Sequence, residues 1–189
     1  MAASARDRVR CPWPGLEADP TYTAYHDREW GTPVHGTAML FERLSLEAFQ
    51  SGLSWLTILR KRDRFRSAFA GFDPAVLADW TQPQVEVLMR DAGIVRNRRK
   101  IEAVLSNARV LARAGFDLDD LLWSFAPPPR PPGYAPEPGE VPVSTPASAA
   151  MARELRARGI VFVGPVTAYA LMQATGMVDD HVHGCWRAA

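Results

Sequence analysis

The chain has few cysteines, few lysines and no long apolar run. Only two of its 189 residues are cysteine, which excludes a small secreted domain held together by a disulfide framework. No apolar run approaches the ~18 residues that a membrane-spanning helix needs. The opening residues, MAASARDRVRC, lack the apolar stretch of a secretory signal. We therefore expect one globular domain over residues 1–189, in the cytoplasm and without a membrane partner, where thiols stay reduced.

The scarcity of lysine leaves arginine as the main source of positive charge. Lys61 and Lys100 are the only lysines, so arginines supply the rest of the 22 basic residues. The formal net charge is +1, yet the segments 59–66 and 90–100 each carry five positive charges and one negative charge. Two such clusters indicate a polarised surface that attracts phosphates. Solvated helix faces in an arginine-rich protein would give the same pattern.

The hydrophobic periodicity is helical along nearly the whole chain and predicts an all-α fold. The run GIVFVG (159–164) is the only strand-like stretch, and it is short. The proline-rich segment 126–142 cannot be a helix or a central strand, so we expect a loop within one domain. In the first half of the chain, helices are predicted from an N-cap at Thr37 to a break at Gly52, over 53–65, and after the Asp73–Pro74 cap. A further helix is predicted from Thr81 to Gly93, followed by an amphipathic helix that ends at Gly115. The last two predicted helices cover 145–159 and 165–176.

The two cysteines lie far apart in the sequence, and each has a histidine nearby. His181 and Cys185 are spaced i, i+4, while Cys11 and His26 lie near the start. Together they would form a Cys2His2 set, which is typical of structural zinc. His183 competes with His181 as a ligand, and the spacing is unlike that of a zinc finger. Two reduced core cysteines with unrelated histidines explain the residues equally well.

Aromatic residues are concentrated in the first third of the chain, close to one acid on an apolar stretch. Such a combination suits a flat, electron-poor ligand, because rings stack on it and a carboxylate accepts its hydrogen bonds. The alternative is an exposed acid beside core tryptophans. The residues concerned are Trp13, Tyr22, Tyr25, Trp30, Trp55 and the acid Glu47.

Several longer motifs resemble the DNA-3-methyladenine glycosylase I family. They occur in order from Cys11 to Cys185 and omit only the proline-rich loop. The resemblance implies an all-α fold of the helix-hairpin-helix glycosylase type, with its termini tied by a zinc site. The motifs are DPTYTAYHDREWG, LFERLSLEAFQSGLSWLTILRKR, DAGIVRNRRKI, NAR and RGIVFVGPVTAYALMQATGMVDDH.

The resemblance also implies roles for individual residues. Cys11, His26, His181 and Cys185 match the zinc ligands, and four protein ligands make the metal structural. Gly52 and Leu53 match the element that fills the gap left by a flipped nucleotide. The base pocket matches Trp13, Tyr22, Tyr25, Trp30, Glu47 and Trp55. The hairpin matches DAGIVRNRRKI, in which the Gly93 turn, Arg96, Arg98, Arg99 and Lys100 would bind phosphates, although it lacks the usual GxG turn.

The activity implied is hydrolytic removal of N3-methylated adenine from alkylated double-stranded DNA, with free 3-methyladenine as product. Glu47 is assigned to recognition first and to transition-state stabilisation second. We align no catalytic aspartate and place neither lysine near the pocket, so we expect a monofunctional glycosylase, acting as a monomer. Asp27 and Asp180 flank ligand histidines and either orient them or cap helices. The alternatives are a zinc hydrolase with an open coordination position and a zinc-stabilised module that binds DNA without cutting it.

Overall fold

The computed structural model describes residues 8–113 and 115–188, and over these ranges the fold is all-α, as predicted. No strand occurs in the described residues, so the strand-like interpretation of 159–164 is wrong; that segment is the turn between the last two helices. The α-helices are α1 (Pro20–Arg28), α2 (Thr37–Gln50), α3 (Trp55–Ala68), α4 (Pro74–Ala78), α5 (Gln82–Arg90), α6 (Arg98–Arg113), α7 (Leu118–Trp123), α8 (Pro146–Ala157) and α9 (Pro165–Ala174).

Helix α2 is the centre of the molecule. It packs against α3, α6, α7 and α9, while α4 packs along α6 and α8 along α9. Leu40, Phe41, Leu44, Leu46 and Phe49 are all at most 2% exposed, and their spacing covers more than one face of the helix. A helix that is apolar on several faces must be surrounded by others. Any polar side chain on α2 therefore has a high chance of facing the interior.

Capping residues explain most of the helix boundaries. Asp73 accepts a hydrogen bond from the Ala75 amide at the start of α4, and Thr81 forms a capping box with Gln84 at the start of α5. Both caps were predicted. Thr37 is instead the first residue of α2, because the chain turns at Gly36 with a φ of 91°. α5 ends at Arg90, before the predicted Gly93, since Asp91 is already extended.

Two further segments complete the architecture. α7 was not predicted, because the acids of 117–120 were considered only as charge; Asp117 caps that helix by accepting from the Asp119 and Asp120 amides. The segment 126–142 contains no helix, as predicted. It lies against the C-terminal segment, where Pro136 O accepts from the His183 amide.

None of the helices in the described ranges has the length and apolar character to cross a membrane.

Candidate active site and metal centre

A cavity of about 420 Å³ brings together all six residues of the predicted pocket. Its walls come from the N-terminal segment, α1, α2, the start of α3, α9 and the proline-rich loop. The cavity is lined by Trp13, Tyr22, Tyr25, Trp30, Glu47 and Trp55 together with Pro12, Pro14, Gln50, Pro138, Val141, Ala170, Gln173, Asp180 and Val182. Residues from distant parts of the sequence thus form one aromatic chamber with few polar groups.

The aromatic rings of the chamber support one another. Trp13 and Trp30 meet edge to face with ring centroids 4.7 Å apart, and Trp13 lies 5.5 Å from Tyr22 at a tilt of 32°. On the other side, Tyr25 and Trp55 are 5.2 Å apart. Rings at these separations hold each other in place through quadrupole and packing interactions. A planar ligand would therefore meet walls that are already arranged.

Glu47 projects from the central helix into this chamber and is 6% exposed. Burial raises the pKa of Glu47 to about 8, and the positive charge of Arg43, one turn earlier on α2, offsets only part of this effect. The protein keeps a carboxyl group in an apolar site, where ionisation is costly without a positive partner. The chamber is consequently suited to a cation, which would favour the ionised carboxylate.

Four potential metal ligands meet beside the chamber. The ligand atoms of Cys11, His26, His181 and Cys185 all lie within 4.8 Å of one another, and all four residues are buried. The sulfur of Cys185 is 3.5 Å from His26 Nε2 and 3.6 Å from His181 Nδ1, and Cys11 Sγ is 3.6 Å from the same Nδ1. Tetrahedral Zn–S and Zn–N bonds of ordinary length place S and N about 3.6 Å apart. These residues could therefore hold a metal ion, whereas His183 is exposed.

The hydrogen bonds of the two histidines fix which ring nitrogen faces the cluster. His26 Nδ1 donates to Asp27 Oδ1 at 2.8 Å, and His181 Nε2 donates to Trp30 O at 3.2 Å. Each histidine thus directs its other nitrogen, as a lone pair, towards the sulfurs, which is how metal-binding histidines are normally oriented. Asp27 therefore orients His26, which is one of the two roles predicted for it; the other was helix capping. Burial opposes ionisation of Asp27, but hydrogen bonds from Arg10 and His26 lower its pKa.

The two thiols of the cluster interact with each other. The hydrogen bond from Cys11 lowers the pKa of the Cys185 thiol against the effect of burial. The same hydrogen bond, followed by burial, raises the pKa of Cys11. Metal ions bind cysteine as the thiolate, so the cluster would release protons when a metal binds.

The metal cluster and the chamber share a wall. The ring of His26 packs edge-on against Trp13 at 5.0 Å, and the ring of His181 packs edge-on against Trp30 at 4.7 Å. Because His181 also bonds to the Trp30 carbonyl, the position of the ligand histidines determines the position of two tryptophans. A metal ion held by these histidines would consequently help to fix this wall of the chamber.

Sequence reasoning missed three polar residues of the chamber, namely Gln50, Gln173 and Asp180. The Asp180 carboxylate accepts from Arg130, Tyr169 and Gln173. It is therefore not the partner of the His181 ring, whose Nε2 donates to Trp30 O. No signal in the residues near Asp180 revealed these partners. Gln173 was detectable, because it is a carboxamide in a helix that is otherwise almost entirely apolar.

The predicted inserting element lies at the rim of the chamber. Gly52 and Leu53 occupy the turn between α2 and α3, both are exposed, and Gly52 has a φ of 84° that favours glycine. The Leu53 side chain is 42% exposed.

Lys100 is placed differently from the prediction. Its side chain is buried, and Nζ donates to Phe49 O at 2.8 Å and to Ser51 O at 2.6 Å. The ammonium thus satisfies carbonyls at the C-terminus of α2 and supports the Gly52 turn. It does not line the chamber, and it is not available to bind a phosphate.

The remaining residues of the predicted hairpin lie in the turn between α5 and α6. The Gly93 amide already donates to Asp91 Oδ1 at 2.8 Å, so it is not free for a phosphate either. Arg98 pairs with Glu86 at 2.8 Å. Arg96 and Arg99 are exposed, and within the part of the chain that the structure describes neither has a hydrogen bond or ion pair.

Comparison with known proteins identifies the family of this chain. Residues 13–188 match the methyladenine glycosylase family. The DNA-3-methyladenine glycosylase 1 of Escherichia coli strain K12 is 44% identical over 179 residues, which cover 93% of this chain and 95% of the relative. A crystal structure of 3-methyladenine DNA glycosylase I superposes with a TM-score of 0.89 at 44% identity, covering 96% of this chain and all of the other. The Staphylococcus aureus glycosylase, solved to explain 3-methyladenine recognition, gives 0.84 at 31% identity over 90% of this chain and 93% of its own. The chain therefore belongs to the methyladenine glycosylase family.

Proposed function

We propose that the protein removes N3-methylated adenine from alkylated double-stranded DNA and leaves an abasic site and free 3-methyladenine. The names of its relatives support this reaction. The observation that carries the proposal is the buried Glu47 carboxyl in a chamber walled by five aromatic residues. A cavity of this kind selects a flat cation over the neutral bases of undamaged DNA.

The chemistry of the lesion suits such a chamber. Methylation at N3 gives the adenine a positive charge, which weakens its glycosidic bond and makes the base a good leaving group. Extruding the nucleotide costs a few kcal/mol, and less when the base is damaged. Stacking on the tryptophans and tyrosines repays about 1–3 kcal/mol per contact. Glu47 accepts hydrogen bonds from the base and loses its proton as the cation enters.

The lysines support a monofunctional reaction without strand cleavage. A lyase step needs a free amine that attacks the sugar. Lys100 Nζ is held by two carbonyls, and Lys61 Nζ donates to Ala92 O at 2.9 Å and to Gly93 O at 3.3 Å. Neither amine is aimed into the chamber. The product is therefore an intact strand with an abasic site.

The DNA-binding surface lies next to the mouth of the chamber. Leu53 enters the space left by the flipped nucleotide, and Gly52 gives the turn the backbone conformation that exposes it. Arg96, Arg98 and Arg99 lie before or within the first turn of α6, where the helix dipole also favours a phosphate. Lys100 supports the Gly52 turn from behind and does not contact DNA. The proposal thus keeps the predicted DNA contacts except those of Gly93 and Lys100.

The metal that the cluster binds is a structural zinc ion. Cys11, His26, His181 and Cys185 supply four ligands, so no coordination position is left for a water molecule. The metal would fix the termini and the tryptophans beside them, and it would supply no step of the reaction. A closed site also disfavours the alternative of a zinc hydrolase. The protein is expected to act as a monomer in the cytoplasm, where its two cysteines, which form no disulfide, remain reduced.

The test is to incubate the purified protein with randomly methylated duplex DNA and to identify the released bases. Wild type should release 3-methyladenine and leave the strand intact until alkali is added. Glu47→Gln should lower the rate about tenfold or more, because a neutral acceptor replaces a charged one. Glu154→Gln, at an acid on α8 whose side chain is 39% exposed and pairs with Arg158, is the matched control and should match wild type. Well-folded, zinc-loaded protein that binds the DNA but releases no base would contradict the proposal and favour the binding module.

A further inference from the structure

A buried carboxylate fixes the orientation of one amide in the chamber wall. Asp180 is 1% exposed, and its Oδ1 accepts from Arg130 at 2.6 Å. Its Oδ2 accepts from the Tyr169 hydroxyl at 2.7 Å and from Gln173 Nε2 at 2.8 Å. Three donors thus converge on one carboxylate in the interior of the protein.

The partner of the Gln173 amide determines which of its two ends faces the ligand. A carboxylate that is paired with an arginine only accepts hydrogen bonds, so the amide must present its NH2 group to Asp180. Turning the amide over would oppose two acceptor oxygens and leave the carboxylate without one of its donors. The Gln173 Oε1 carbonyl is therefore the end that is left for the chamber, of which this residue forms part of the wall.

The backbone around Gln173 is also fixed. Its carbonyl accepts from the Gly31 amide at 3.0 Å, which ties the last turn of α9 to the residue after Trp30. α9 packs against α2, the helix that carries Glu47. The chamber therefore contains two acceptors on neighbouring helices, one of them charged when ionised and the other permanently neutral.

We propose that Gln173 determines the base specificity of the glycosylase, by accepting a hydrogen bond from the 6-amino group of the flipped purine. Asp180 and Arg130 act as positioning residues that keep the Gln173 carbonyl directed at the base. Adenine has an amino donor at C6, whereas guanine and hypoxanthine have a carbonyl acceptor there. Two opposed acceptors repel, so the oriented amide rejects 6-oxo purines that carry the same N3-methyl group. This inference rests on the proposed function, since it names the part of the base that the same chamber recognises.

Selectivity between 6-amino and 6-oxo bases tests the inference separately from excision. The first measurement is binding of free 3-methyladenine and of free 3-methylhypoxanthine. Binding is detected as quenching of the fluorescence of the tryptophans that line the chamber. The second is the ratio of 3-methyladenine to 3-methylguanine released from one preparation of alkylated duplex DNA. Wild type should favour the 6-amino base in both measurements.

Gln173→Met keeps the length of the side chain and removes its hydrogen bond. We expect the preference for the 6-amino base to fall about tenfold, through weaker binding of 3-methyladenine and unchanged or stronger binding of 3-methylhypoxanthine. Asp180→Asn releases the amide orientation and should reduce the preference by a smaller factor. Gln82→Met, at an exposed glutamine on α5, is the matched control and should keep the wild-type preference.

Each outcome decides one of the two proposals. A wild-type preference that survives in a folded Gln173→Met protein overturns the inference. If that variant does not fold, an unchanged preference in Asp180→Asn overturns it instead. A wild type that binds 3-methyladenine selectively but excises nothing contradicts the proposed function and leaves the inference standing.

Discussion

At the scale of single residues, the chamber depends on groups whose chemistry is set by burial. Glu47 was identified from the sequence as an acid on an apolar stretch, and the structure shows why the position matters: the central helix carries it inside. The partners of Asp180 were not predictable, because Arg130 lies in a loop and Tyr169 on a helix, and no periodicity relates them. Local patterns find a residue, whereas long-range hydrogen bonds appear only in three dimensions.

The raised pKa of Glu47 predicts how the stability of the free protein changes with pH. The native state keeps the proton up to a pKa of about 8, while the unfolded chain loses it near the ordinary value of ~4.3. Between these values the native state binds the extra proton, so stability falls with rising pH, by about 1.4 kcal/mol per pH unit from this group.

The measurement is chemical denaturation of wild type and Glu47→Gln at several pH values. The difference in unfolding free energy should move in favour of Glu47→Gln from about pH 5 to pH 8 and level off above that range. A constant difference would show that Glu47 is ionised in the free protein. Glu154→Gln serves again as the control, since its side chain is 39% exposed and lies outside the chamber.

At the scale of secondary-structure elements, the residues that cap helices were easier to predict than the side chains that bind helix ends from distant parts of the sequence. Asp73 and Thr81 were identified because a cap and its proline lie within three residues of each other. The function of Lys100 could not be predicted this way, since its partners Phe49 O and Ser51 O lie about fifty residues earlier. Arg99 and Lys100 are adjacent in the first turn of α6, and they consequently have different roles.

Substituting methionine for each of these neighbours should separate their roles. Lys100→Met leaves two carbonyls unpaired and should lower stability by about 1–3 kcal/mol, with slower excision because the Gly52 turn is loosened. Arg99→Met should leave stability unchanged and reduce the slope of log K against log salt for DNA binding by about 1.

Thermal unfolding and DNA binding at several salt concentrations provide both readouts. The assignment is wrong if Lys100→Met changes the salt slope at full stability, or if Arg99→Met unfolds at a lower temperature without affecting DNA binding.

At the scale of the whole molecule, the all-α fold and the family were predictable because helical periodicity and long motifs cover most of the chain. α7 was missed because six residues are too few for a period. The proximity of the two thiols was only one of two open interpretations until the fold placed Cys11 beside Cys185. The segments that carry these two cysteines are also joined through the backbone, because the Trp186 amide donates to Val9 O at 2.9 Å.

Removal of one proposed zinc ligand should affect stability first and the chamber second. Cys185→Ser should lose the metal and lower the melting temperature, because the metal closes a very long loop. Excision should also fall, through the contacts of His26 with Trp13 and of His181 with Trp30. Metal analysis, melting and excision are measured together, with a His183→Ala variant as the control. A metal-free Cys185→Ser protein with wild-type melting and excision would contradict the structural role.

The joining of residues 11 and 26 to residues 181 and 185 also sets an order of events during synthesis. A growing chain contains the first two ligands, Trp13 and most of the aromatic walls long before His181 and Cys185 are translated. Until those last ligands leave the ribosome, the metal cannot acquire its full set of donors and the chamber lacks Asp180 and Val182 from its wall. Nascent chains are therefore unable to bind a base selectively, and recognition begins only after the end of the chain folds back onto its start.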